Sequence, residues 1–213
     1  MIYRPQHFRS KSCERSIQVI EQNPLATVIT SSGEDPEIAM IPILMNQEQY
    51  QLEGHFALQN DIWRKFQQIN TATFLFRGPQ AYISPTWYDT SPHLPTWNYA
   101  VVEVKAKVAL VQDQESTIKL LNKFTKHFDR NFYQFSESVP YLELINNAAL
   151  GVICFQAKIV SINAKFKLSQ NKQRSEVERL IDTLRKRGTN RCHLLADLME
   201  HELNDKQKIN ETD

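Results

Sequence analysis

The apolar positions of this chain change period near residue 24. Cys13–Gln22 reads as a short helix, stopped by Asn23-Pro24 because the residue before a proline is pushed out of the α region. Ala26–Thr30, Glu37–Met45 and Tyr50–Ala57 follow as short stretches rich in β-formers, divided by Ser31-Ser32-Gly33 and Asn46-Gln47. In the third, Tyr50, Leu52, Gly54 and Phe56 share one face. Thr71–Phe76 and Ala100–Val111 continue the alternation, the latter setting Val102, Val104, Ala106, Val108 and Leu110 opposite Glu103, Lys105 and Lys107. Gly151–Leu168 is the last long strand. Its apolar set lies on Ile153, Phe155, Ala157 and Ile159, then shifts parity to Ile162, Ala164, Phe166 and Leu168. One extra residue near Val160-Ser161, a β-bulge, would produce that shift.

Strands at this spacing predict a mainly antiparallel barrel or sandwich, and helices flank it. Ser116–Phe128 carries Ile118, Leu121, Thr125 and Phe128 on one stripe. Ser175–Arg187 is the strongest helix, with Ser175 and Glu178 as its expected capping box and Val177, Leu180, Ile181 and Leu184 as its apolar stripe. Arg185, Lys186 and Arg187 suit its C-terminal dipole, and Gly188 can close it. Cys192–Leu203 is a further amphipathic segment, and beyond Asn204 the composition reads as a frayed tail. We divide the chain into a main domain over 1–188 and an extension over 189–213.

Composition narrows the chemistry. The 213 residues include only 5 glycines, the closest two 21 positions apart. Dinucleotide-binding turns, phosphate loops and nucleophile elbows, which need glycines a few residues apart, are all excluded. The formal charge is +1, so no global field points to nucleic acid or membrane. The longest nearly unbroken apolar run, Ile38–Met45, is far short of the roughly 20 residues of a membrane helix. The start of the chain shows no apolar signal region, and three scattered cysteines suit a reducing compartment. We therefore expect a cytoplasmic protein. Six histidines show neither an H-E-x-x-H pattern nor paired cysteine spacing, so no metal site is expected.

Three clusters carry what chemistry there is. Gly78–Tyr88 and Leu94–Tyr99 concentrate tryptophan, tyrosine and proline. Proline fixes φ and removes a ladder donor, so these aromatics are expected on stiff loops or edges. They either plug a barrel end or form a platform for a flat heteroaromatic ligand, with Asn98 at its edge. Gly54–Trp63 places His55 where a strand ends and a helix begins. Lys165–Lys172 is a cationic, amide-rich corner suited to a phosphate or simply to solvent.

Together these clusters resemble one family. Tyr3-x-Pro5-x-x-Phe8, Gly54-His55 with Asn60 and Trp63, Gly78-Pro79-x-Ala81-Tyr82-x-Ser84-Pro85-x-Trp87-Tyr88, Pro95-Thr96-Trp97-Asn98-Tyr99 and Lys167-Leu168-Ser169-Gln170-Asn171 occur in the order seen in the PaiB-type FMN-binding negative transcriptional regulators. The resemblance covers about residues 1–188. It implies an FMN-binding split β-barrel related to the pyridoxamine-phosphate oxidases, a homodimer, and FMN at the dimer interface. Carried over by motif position, Trp87, Trp97, Asn98 and Tyr99 would line the isoalloxazine, with His55, Asn60, Lys167 and Gln170 near the polar end. The alternatives are a flavin-dependent oxidoreductase using NAD(P)H, or a barrel that acts by protein or DNA contacts after losing tight flavin binding. No catalytic residue is assigned.

Two departures from the family pattern bear on the cofactor. Met40 stands where the resemblance implies a histidine, and Leu58 where it implies an arginine that would contact the flavin phosphate. We therefore expect FMN to be held weakly, with Arg77 or Lys167 restoring part of the loss. Residues 165–191 hold nine Lys/Arg against three acidic residues, which makes this face the candidate for any DNA contact.

Overall fold

The computed structural model describes residues 2–9, 12–31, 33, 35–89 and 92–210, with side chains as far as Asp205. Ser32 of the expected first turn and the last three residues of the expected tail lie outside it. The elements run α1 (Cys13–Gln22), β1 (Leu25–Thr30), β2 (Glu37–Asn46), β3 (Gln51–Ala57), α2 (Ile62–Gln68), β4 (Thr71–Ile83) and β5 (Thr96–Leu110). After these come α3 (Gln114–Phe128), α4 (Arg130–Tyr133), α5 (Val139–Leu150), β6 (Val152–Lys167), α6 (Arg174–Lys186) and α7 (Asn190–Asn210). The six strands close into a barrel in the order β1-β2-β3-β6-β5-β4, with antiparallel pairing of β1 to β2 and β4, and of β3 to β2 and β6. The barrel alternative is therefore the correct one, and closure leaves no unpaired edge among the described strands.

The chain forms two compact units: Met1–Gln22, Arg77–Val102 and Asn163–Asp213 in one, Asn23–Phe76 and Glu103–Ile162 in the other. In the second unit Phe56, Phe66, Phe74 and Phe155 pack ring to ring, with Phe56 and Phe155 stacked at 5.1 Å. Gly54 pairs with Phe155 across the ladder, and a Cβ there would lie 2.6 Å from its ring. Only glycine fits. The other face of β2, β3 and β6 is covered by α3, where Leu44, Leu120, Phe124 and Cys154 form a cluster. Asp113 caps α3, its carboxylate accepting from the Ser116 N–H at 2.7 Å.

In the first unit, Val177, Leu180, Ile181 and Leu184 of α6 are buried beside Cys192, Leu195, Ala196 and Met199 of α7. Arg185 joins the two helices through Asp197 and Glu200 at 3.3 and 2.8 Å.

The structure departs from the expected pattern in four places. β4 runs through Pro79 to Ile83, because one missing donor does not end a 13-residue strand. The capping box of α6 is Gln173 with Glu176, two residues earlier, and Glu178 instead pairs with Arg174 at 2.7 Å. α4 and α5 occupy a stretch where alternation predicts nothing. α5 is apolar on most sides, with Val139, Leu142, Leu144 and Leu150 exposed, so it shows no stripe. α7 continues to Asn210 rather than ending near Leu203. The parity shift in β6 is realised, with Phe155, Ala157 and Ile159 buried before it and Ala164 and Phe166 after it.

Candidate functional site

The cationic corner is built by the turn between β6 and α6. Ser169 sits in the left-handed region at φ 61°, which costs a non-glycine residue energy unless neighbours hold it. Gln170 holds it from one side: its Oε1 accepts from the Leu168 N–H at 2.7 Å, and its Nε2 donates to the Phe166 carbonyl at 2.5 Å. Asn98 holds it from the other, donating to Ser169 Oγ at 2.8 Å and accepting the hydroxyl in return at 3.3 Å. The Asn98 amide also reaches Met199 Sδ at 3.5 Å, and Asn98 is fully buried. Gln170 and Asn98 thus spend their hydrogen bonds on protein atoms; their visible work is to shape the turn.

Lys167, the last residue of β6, donates to Thr96 Oγ1 and to the Trp97 carbonyl, the latter at 3.0 Å. Burial pushes its ammonium below the ordinary lysine range, as does Lys165; the Tyr99 hydroxyl acts the other way. Such a cation gains most from an anionic partner.

Lys167 opens onto a cavity of about 350 Å³ within the first unit. Its polar wall is Thr96, Ser169, Asn171 and Lys172, and its apolar wall includes Phe8, Tyr88 and Leu94. That volume lies at the small end of the roughly 300–1,000 Å³ usual for ligand sites. No carboxylate lines it among the described residues.

The remaining expected site residues lie as follows. Trp97 is half exposed, its ring edge-on to Tyr82 at 6.1 Å. Tyr99 lies under the Lys165 ammonium at 5.3 Å. Trp87 carries the Arg187 guanidinium 5.3 Å above its ring, and its carbonyl accepts from Arg179. His55 and Asn60 belong to the second unit. Asn60 Oδ1 accepts from the Ile62 N–H at 3.2 Å, opening α2. His55 lies edge-on to Phe124 at 5.2 Å, its buried Nδ1 has no hydrogen-bond partner, and burial lowers its pKa. Of the eight, Asn98 and Lys167 line the cavity. Leu58 is 41% exposed in the second unit, and Arg77 is exposed on β4.

The cavity also brings in His93, which sequence reasoning missed. Its signal was faint: a histidine between two prolines, five residues after Tyr88.

The chain is thus a closed barrel with a lysine-lined cavity at the end of its last strand. By fold, the chain is similar to the flavocytochrome Anf3 of Azotobacter vinelandii, with TM-score 0.61, 12% identity, and coverage of 78% of this chain and 72% of that one. The FAD and heme binding protein of Mycobacterium smegmatis is alike at TM-score 0.61 and 13% identity, covering 80% and 78%. Residues 2–161 match the family described as "Putative FMN-binding domain". The chain is also 30% identical over 207 residues to the "Protease synthase and sporulation protein PAI 2" of Bacillus subtilis, covering 95% of this chain and 98% of that protein. The chain belongs to this FMN-binding domain family.

The residues present fit the cofactor's charged end. FMN ends in a phosphate carrying close to two negative charges at neutral pH. Two ammonium groups, the Thr96 hydroxyl and the Asn171 amide, with aromatic walls beside them, match that group.

Proposed function

We propose that the chain works as an FMN-binding homodimer of the regulatory type, located in the cytoplasm. The observation that carries the dimer is the outer face of β1, β2 and β4 in the second unit. Cross-strand rows there read Leu25 with Pro42, Leu75 with Thr27 and Met40, and Thr73 with Ile29 and Ile38. Leu25, Ile38 and Met40 are 56%, 63% and 55% exposed. A solvent-facing strand normally alternates apolar with polar; here the outer face is mostly apolar, broken only by threonines in these rows. A contiguous apolar patch of that kind calls for a partner, and a second copy is the partner the family resemblance implies.

In this reading Lys167 and Lys172 hold the FMN phosphate, Thr96 and Asn171 complete its hydrogen bonds, and Phe8 and Tyr88 exclude water beside it. Bound FMN supplies one- and two-electron redox chemistry. No helix among the described residues is long and apolar enough to cross a membrane.

The regulatory part of the reading brings in DNA through the 165–191 face. Arg174, Arg179 and Arg185 are ion-paired within the chain, Lys165 and Arg187 lie over aromatic rings, and Lys167 and Lys172 face the cavity, which leaves Lys186 and Arg191 as the cations best placed for phosphate contacts. Such binding should weaken steeply with added salt.

Light scattering on the purified protein, with flavin absorbance read on the same peak, tests the main reading. A mass of two 24.8 kDa chains carrying flavin after FMN addition is expected. A monomer without flavin overturns it, and steady NAD(P)H oxidation by the FMN-loaded protein would favour the oxidoreductase instead.

A further inference from the structure

The cavity contains a line of contacts that phosphate binding alone does not require. Glu176 Oε1 lies 3.1 Å from His93 Nε2, and Glu176 Oε2 accepts from the Gln173 N–H at 3.1 Å. The carboxylate is therefore fixed by the same bond that caps α6. On the other side of the imidazole, Lys172 Nζ lies 3.0 Å from His93 Nδ1. An ammonium only donates, so Nδ1 is the acceptor and Nε2 carries the proton that goes to Glu176. The Tyr88 ring stacks on the imidazole at 3.9 Å and 19°, and Lys172 Nζ lies 5.5 Å from the centre of that ring. The side chains of His93 and Glu176 are only 11% and 13% exposed, so solvent screens this line weakly.

Protonation changes what Lys172 can do. A proton on Nδ1 removes the lone pair that holds the ammonium and sets two cations about 3 Å apart. Lys172 must then find another acceptor. The charged and titratable groups facing His93 are Glu176 of α6, Lys172 of the turn, and Tyr88, with Lys167 of β6 across the cavity. Arg179 and Asp89 nearby are paired with each other. Within that set Glu176 already accepts from the imidazole and the α6 cap, and no group there offsets the charge of both cations. An anion in the cavity does.

We propose that this cavity is a proton-linked oxyanion site, which takes a tetrahedral dianion more tightly when His93 is protonated because the proton releases Lys172 to the anion. The proposal rests on the reading of the cavity as the phosphate end of the flavin site, and extends it to sulfate and phosphate esters as a class. Linkage makes the effect reciprocal: an anion that binds better to the protonated form raises the proton affinity of His93 by the same factor.

Sulfate is the probe, because its charge stays constant from about pH 5.5 to 8.5 whereas a phosphate ester titrates near pH 6 within this range. The full-length protein is studied by calorimetry at two pH values and by nitrogen NMR of the His93 ring, with and without sulfate. Sulfate is expected to bind at least about threefold tighter near pH 6 than near pH 8, with the His93 midpoint raised by about half a pH unit or more. His93→Gln should keep sulfate binding and lose its pH dependence; Lys172→Gln should leave His93 titrating with no response to sulfate. Equal affinity at the two pH values, a His93 midpoint that ignores bound sulfate, or no sulfate binding overturns the proposal. Sulfate behaving as expected while FMN fails to bind would sink the flavin reading and leave the oxyanion site standing.

Discussion

Asn98 and Ser169, 71 positions apart, exchange hydrogen bonds in both directions while both are buried. This pair ties the start of β5 to the turn after β6 and holds Ser169 in its left-handed conformation. Removing the amide leaves a buried hydroxyl without that partner and a strained backbone without that support. Asn98→Ala should lose about 1–3 kcal/mol of stability in urea unfolding and weaken flavin binding with it. A loss under about 0.5 kcal/mol would show that the turn does not depend on the pair.

The apolar outer face of β1 and β2 should govern assembly. Placing charges there with Ile38→Lys and Met40→Lys together should turn the dimer into a folded monomer, since a buried interface does not accommodate unpaired cations. Sedimentation and circular dichroism measured together decide this. A dimer that persists in the double variant would move the interface elsewhere.

His55 makes stability depend on pH. Its folded-state pKa lies below the ordinary 6.5 because burial disfavours the imidazolium. Below about pH 6.5 the unfolded chain therefore binds a proton that the folded chain refuses, and stability falls with pH until the folded imidazole also protonates. His55→Phe, set against Phe124, should lose less stability between pH 7.5 and pH 5.5 than the parent does, by roughly the linkage of one proton. Identical losses in chemical denaturation would show that His55 contributes nothing to the acid sensitivity.

Thiol labelling separates the cysteines. Cys154 is fully buried, and burial pushes its thiol up to about 11; Cys192 is buried and Cys13 exposed. A thiol-specific reagent near pH 8 should label one site in the native protein and three after denaturation, and Cys13→Ser should abolish the native reaction. Rapid native labelling of Cys154 would mean that α3 opens away from β6.

The barrel was legible because its signals are local. Alternation in Gln51–Ala57 and the parity shift in β6 need no tertiary information. Helix α5 was illegible because its apolar residues surround it, and its buried Tyr141, Ile145 and Ala149 mark the packed face only once α3 is in place. The site divides in the same way. Lys167 and the turn after it form a compact motif, whereas His93 acquires its partners from residues 79 and 83 positions away. Motif position also cannot distinguish a side chain that meets a ligand from one that braces the backbone, which is the arrangement seen at Gln170 and Asn60.

FMN is expected to bind this chain with Lys167 and Lys172 as its phosphate anchors. Titrating the apoprotein with FMN and following flavin fluorescence tests it most directly. Saturable quenching at one flavin per chain is expected, weakened about tenfold or more by Lys167→Gln, since a charge-assisted hydrogen bond is worth roughly 1.5–3 kcal/mol. Leu58→Arg, which restores the arginine of the family pattern, should tighten binding about tenfold to a hundredfold. No saturable binding by the parent, or affinity unchanged in Lys167→Gln and Lys172→Gln alike, would contradict it.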